Sequence, residues 1–88
     1  MAEIKIIIQN KKGLHARATA KFVKVVDAYD CEMTVEKEGE VVDASSIMGL
    51  LMLGASIGSE ITITANGEGE DQALAELTDL INRKFDEE

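Results

Sequence analysis

Met33-Thr34-Val35-Glu36-Lys37-Glu38-Gly39-Glu40-Val41-Val42 decides the fold. Its first four residues alternate apolar and polar, the period of a strand with one covered face. Glu38-Gly39 is a turn signal, and Val41-Val42 returns as a short second run. Two runs joined this tightly make a hairpin, and a hairpin pairs its strands antiparallel.

After the hairpin comes Ser45-Ser46-Ile47-Met48-Gly49-Leu50-Leu51-Met52-Leu53-Gly54. Serine is a good N-cap and glycine a good residue just past a helix end, so about two helical turns are predicted here. Glu60-Ile61-Thr62-Ile63-Thr64 is the clearest alternating strand in the chain, and Asn66-Gly67-Glu68-Gly69 breaks it. A last helix is predicted from about Glu70 to Phe85. Ala73, Leu74, Leu77, Ile81 and Phe85 form its apolar stripe, with acids in the first turn and Arg83 and Lys84 in the last.

Ahead of the hairpin, Ala18, Phe22, Val25, Val26 and Tyr29 share one apolar arc at helical spacing. The stretch Ile4-Lys5-Ile6-Ile7-Ile8 is β-branched and reads as a strand. Gln9 to Gly13 is a polar loop between them. The order is βαββαβα. Hairpins and mixed connections, without repeated βαβ units, predict an α+β fold: an antiparallel sheet with helices on one face.

The chain of 88 residues has room for one domain, residues 1–88. A domain this small buries only about 60% of its unfolded surface, so it holds one modest core and no deep cavity. The aromatics are Phe22, Tyr29 and Phe85 alone, too few for a nucleic-acid stacking platform. The single cysteine, Cys31, rules out an internal disulfide and a multi-thiolate zinc site, and suits a reducing cytosol. Its simplest role is a small core residue. The start of the chain shows no signal-peptide pattern, and no apolar run approaches the roughly 18 residues of a membrane span.

The net charge of −8 is unevenly spread. Residues 1–26 carry six basic side chains against Glu3, a balance of +5. Residues 27–88 carry three against sixteen acids, a balance of −13. Arg17, Lys21 and Lys24 form a basic stripe along the first helix. Such a stripe suits an acidic protein partner, with an ordinary solvated face as the alternative.

The only histidine, His15, stands in Gly13-Leu14-His15-Ala16-Arg17, where the loop turns into that helix. A helix start presents unpaired N–H groups and the positive end of the dipole. Neutral imidazole is a nucleophile near neutral pH, and a phosphate on it would meet the amides of Ala16 and Arg17 and the Arg17 guanidinium. The competing reading is a histidine that caps the helix or fills space. No second histidine and no neighbouring aspartate stand in the sequence to orient the ring. A metal site lacks ligands, since one histidine and scattered acids do not make three. The Ser46 helix is apolar nearly all round, so Ile47, Met48 and Met52 are candidates for an exposed docking patch, the alternative being that all are core. Ser46 is an N-cap, a phosphorylation site, or both.

Together these residues resemble the histidine-containing phosphocarrier family, HPr, of the bacterial phosphoenolpyruvate-dependent phosphotransferase system. Two motifs carry the resemblance: Gly13-Leu14-His15-Ala16-Arg17-Ala18-Thr19-Ala20, and Ser46 through Gly54. The resemblance implies an open-faced β-sandwich, a four-stranded antiparallel sheet with three helices on one face. It implies that enzyme I phosphorylates His15 on Nδ1 and that the phosphate passes to an EIIA domain. It implies a cytoplasmic, monomeric carrier with no cofactor, rather than an independent enzyme. It matches Arg17 to the phosphate-assisting arginine and Ser46 to a regulatory serine, modified in some bacteria by an HPr kinase/phosphorylase. Lys21, Lys24, Ile47, Met48 and Met52 are then the docking surface.

Many sugar-transporting members have proline where this chain has Ala18. Alanine also suits relatives in a nitrogen-related phosphorelay, so the branch stays open. Physically, Ala18 keeps an N–H in the first turn that proline lacks. A regulatory binding module, in which Ser46 phosphorylation controls association with a transcriptional regulator or kinase, is the alternative from another functional class.

Overall fold

The strand Glu60–Gly67 (β4) organises the sheet because both of its edges are paired. The structure is a computed structural model and describes residues 1–87. On one side β4 meets Ala2–Ile7 (β1), and on the other Cys31–Lys37 (β2), which closes the hairpin with Glu40–Asp43 (β3). The strand order is β1-β4-β2-β3, and every neighbouring pair is antiparallel.

Register follows from the alternation of side chains. Ile4, Ile63, Val35 and Val42 lie directly opposite one another in a row across all four strands. Val35 and Ile63 in that row are fully buried, and Ile4 and Val42 pack against the core. One residue along, the row is Lys5, Thr62, Glu36 and Val41, which faces away. A slip of one residue in any strand would exchange these rows, so burial itself fixes the pairing.

The covered face carries three helices, Ala16–Val26 (α1), Ile47–Met52 (α2) and Glu70–Asn82 (α3). α1 buries Ala18, Phe22 and Val26, and α3 buries Ala73, Leu74, Leu77, Leu80 and Ile81. α3 packs on β4 and β1, while α1 packs on α3 and α2. α2 contributes only Leu50 to the core. The architecture is thus the predicted two-layer α+β fold in the predicted order βαββαβα, with the outer face of the sheet open.

Some boundaries differ from the sequence reading. β2 and β4 run longer than the alternating cores that announced them, because edge-to-edge pairing carries on through Cys31↔Gly67. α1 stops at Val26, so Tyr29 lies beyond it. Its ring packs against the core and its hydroxyl donates to Glu76 at 2.6 Å.

The larger difference is at the end of α3. The apolar stripe predicted a helix through Phe85, but α3 ends at Asn82. Lys84, Phe85 and Asp86 then form a single 3₁₀-type turn with φ of +57°, +55° and +60°. Left-handed backbone costs an L-residue other than glycine roughly 1–2 kcal/mol. Phe85, within this left-handed turn, is fully buried. Arg83, expected to complement the helix dipole, instead pairs with Asp79 and with Asp86 on either side of the turn.

Candidate functional site

A tightly closed loop sets the position of His15. Beyond β1, Ile8 is fully buried and bonds Ser59 and Gly58 through its N–H and carbonyl. Asn10, also fully buried, donates from Nδ2 to the Gly13 carbonyl at 2.8 Å, while its own carbonyl accepts from the Gly13 N–H at 3.1 Å. Leu14 turns inward and its N–H bonds the Ala55 carbonyl at 2.9 Å. Gly13 has φ of +62°, and a Cβ there would lie 2.3 Å from the Ala55 oxygen and 2.7 Å from the Ser56 Cα. Only glycine permits both this backbone and this approach.

His15 is the N-cap of α1, with extended backbone, and its carbonyl accepts the first helical bond, from Thr19, at 2.8 Å. The N–H groups of Ala16, Arg17 and Ala18 precede that first bond and point along the open end of the helix. The imidazole makes no capping bond, so the reading of His15 as a side-chain cap does not hold. The ring is one-quarter exposed, enough for a partner to reach it.

The ring meets a carboxylate. Its Nε2 meets Oε2 of Glu87, and Oε1 of Glu87 accepts from Asn10 Nδ2 at 3.1 Å. Burial disfavours the Glu87 charge, but the hydrogen bonds of Asn10 and His15 and the nearby charges of His15 and Lys12 outweigh it, leaving the carboxyl below its usual range. Beside it opens a cleft of about 370 Å³ lined by Lys11, Lys12, Arg17, Lys21, Asp86 and Glu87. Lys21 Nζ also donates to the Phe85 carbonyl at 2.7 Å, tying the basic stripe to the left-handed turn. Lys24, one turn further along, is exposed and lies outside the cleft. Four cations at an open helix start make a setting for a phosphate dianion.

The sequence reading placed Arg17 and the first α1 amides at the helix start beside His15, as the structure does, but it did not foresee Glu87 against the ring. Glu87 is 72 residues from His15 in the chain, so no local pattern announces it. The one usable signal was Phe85: an apolar residue that must be buried draws Asp86 and Glu87 toward the body of the domain. Lys11 and Lys12 were visible as charge but not as cleft residues.

Across from α1, Ser46 caps α2, its Oγ accepting from the Gly49 N–H at 2.9 Å. Ile47, Met48 and Met52 are 44%, 66% and 76% exposed, so these residues are not core. Ile57 adds to the apolar exposure near the end of the helix. Among the described residues no group of three or more His, Cys, Asp or Glu side chains is placed to hold a metal ion. No helix among them is long and apolar enough to cross a membrane.

Comparison with known proteins agrees with this geometry. Residues 2–83 match the family described as PTS HPr component phosphorylation site. The phosphocarrier protein HPr of Pseudomonas aeruginosa is 48% identical over 88 residues, 99% of this chain and 98% of that protein. The phosphocarrier protein NPr of Shewanella violacea is 39% identical over 85 residues, 97% of this chain and 93% of that protein. The crystal structure of HPr-C-His from Thermoanaerobacter tengcongensis superposes with a TM-score of 0.96 at 44% identity, covering 100% of this chain and 99% of that one. With the match spanning nearly the whole chain in sequence and in fold, the protein belongs to the HPr family of phosphocarriers of the phosphotransferase system.

Proposed function

We propose that the protein accepts a phosphoryl group from phospho-enzyme I on Nδ1 of His15 and passes it to an EIIA domain. The observation that carries this reading is the one-quarter-exposed imidazole at the open N-terminus of α1, beside a cleft lined by four cations. The Nδ1 lone pair forms the N–P bond as the bond between phosphorus and the enzyme I donor breaks. In the second transfer the N–P bond breaks and the electron pair returns to Nδ1. Such transfer depends on positioning and electrostatics more than on covalent machinery, which is why a small domain suffices.

The first-turn amides and Arg17 stabilise the phosphate on the ring. Lys21, Lys24, Ile47, Met48 and Met52 dock the partners, charge steering the encounter and the methionines adapting to different surfaces. The carrier works as a cytoplasmic monomer and turns over nothing by itself. The test is incubation with enzyme I and labelled phosphoenolpyruvate, then addition of EIIA. Acid-labile label is expected first on this chain and then on EIIA, and its absence would refute the reading. Arg17→Ala is expected to slow transfer about 10- to 100-fold, the loss of a charge-assisted bond made mainly in the transition state, with docking affinity nearly unchanged. Stopped-flow rates equal to wild type would remove Arg17 from the transfer step.

A second role at Ser46 is supported by its place at the head of an exposed apolar helix. A phosphate there puts negative charge on the docking patch without unfolding it. An ATP-dependent HPr kinase/phosphorylase is the modifying partner, and a transcriptional regulator a candidate reader. Ser46→Ala is expected to lose all ATP-dependent label and about 1 kcal/mol of stability, the usual worth of an N-cap. If the kinase leaves wild type unlabelled, Ser46 is a cap only. The sugar branch and the nitrogen-related branch are separated by comparing acceptance rates from the two types of enzyme I.

A further inference from the structure

We propose that Glu87 is a positioning residue for phosphoryl transfer, its carboxylate holding the Nε2–H of His15 so that the Nδ1 lone pair faces the incoming phosphorus. The inference deepens the reading of His15 as phosphoryl acceptor and rests on it.

A neutral imidazole carries one proton, and the lone pair is on whichever nitrogen lacks it. An ionised carboxylate accepts and never donates. Contact between Glu87 and Nε2 therefore selects the tautomer protonated at Nε2 and leaves Nδ1 free. The acid is itself held. Asn10 Nδ2 donates both to Glu87 and to the Gly13 carbonyl, so the loop that sets His15 also aims its partner.

The strained turn explains how an acid so distant arrives there. Three consecutive non-glycine residues at positive φ persist only where their surroundings fix them. Here the fixing groups are the buried Phe85 ring, the Lys21 ammonium on the Phe85 carbonyl, and Arg83 between Asp79 and Asp86. A plain end to α3 needs none of this. What the turn accomplishes is the return of residue 87 to the loop at residues 10–15.

During transfer the N–P bond forms at Nδ1 and the donor–phosphorus bond breaks, while the Nε2 proton stays in place. Committing the Nδ1 lone pair leaves the ring partly positive. The Glu87 charge opposes that positive charge, with Lys12, Arg17 and Lys21 facing the phosphate from the cleft.

The test uses wild type, Glu87→Ala and Glu87→Gln, each labelled with ¹⁵N-histidine and checked for a native backbone spectrum. Two-bond ¹H–¹⁵N correlations recorded at alkaline pH read the tautomer. Quench-flow with phospho-enzyme I reads the rate. Wild type is expected as the Nε2–H form and Glu87→Ala as a mixture accepting phosphate about tenfold more slowly, the effect of one lost hydrogen bond to a charged group. Glu87→Gln, whose carbonyl still accepts, is expected to keep the tautomer and most of the rate. Wild-type ring signals and rate in Glu87→Ala would overturn the proposal. So would faster transfer in that variant, which would make the tail an obstruction, or a glutamine that restores neither readout. A wild-type protein that takes no phosphate from phospho-enzyme I would instead overturn the underlying reading of His15.

Discussion

His15→Ala takes up no acid-labile phosphate from enzyme I and phosphoenolpyruvate, and melts within a few degrees of wild type. The first half of this result follows from chemistry. The chain has a single imidazole, so no second ring can stand in as acceptor. Backbone amides such as those of α1 and ammonium groups such as those of the cleft lysines donate hydrogen bonds but offer no lone pair to attack phosphorus. The second half follows from geometry. The His15 side chain makes no cap, and the bond that begins α1 uses its backbone carbonyl, which alanine retains. Substitutions away from core and caps change stability by about 0.5 kcal/mol, and the largely covered Glu87 left behind keeps its bond from Asn10. Circular dichroism melting and gel analysis of labelled protein check both halves. Residual acid-labile label on the variant would mean that phosphate chemistry occurs elsewhere.

Gly13→Ala loses about 2–4 kcal/mol of stability, and it slows phosphate acceptance as well. Two separate penalties act there. Backbone at φ of +62° is strained for alanine, and the new methyl meets the Ala55 oxygen and the Ser56 Cα far inside contact distance. Both neighbours are backbone, so no side chain can rotate away. One or both loops must move, and Leu14, bonded to Ala55, carries His15 with it. For a domain of this size the loss corresponds to a fall in Tm of roughly 10 °C or more. Gly39→Ala is the control. It has φ of +88° but open space around the position of its Cβ, so it suffers the backbone penalty alone. A Gly13→Ala melt no lower than that of Gly39→Ala would show that the close approach to Ala55 does not hold the loop in place.

These two residues also show what the sequence made readable. The hairpin at residues 33–42 and the alternation of Ile61 and Ile63 were legible because strand period is a local property, written in neighbouring side chains. His15 and Arg17 were legible because a helix start is local too. The exposure of Ile47, Met48 and Met52 followed from size, since so small a domain cannot bury a helix apolar on every side. Gly13 was legible as a loop residue, but not why it must be glycine: the reason is the Ala55 carbonyl, 42 positions away. The end of α3 was misread because Phe85 continues the helical stripe and is indeed buried, though by a reversed turn. Periodicity records that a residue is covered, not from which side. Glu87 escaped entirely, since an acid in a charged tail carries no local mark of its partner.

The pairing of residue 87 with residues 10 and 15 has a consequence for the order of assembly. Closing loops of 72 and 77 residues costs more chain entropy than closing the hairpin, and nothing local repays it beforehand. The sheet must bring β1 to β4, and α3 must dock on both, before the tail can reach the imidazole. In a growing chain residue 15 is made long before residue 87, so the imidazole exists first without its carboxylate. On the proposed role of Glu87, its contact with the imidazole forms only once the sheet and α3 are in place, so acceptance of phosphate is tied to completion of the fold.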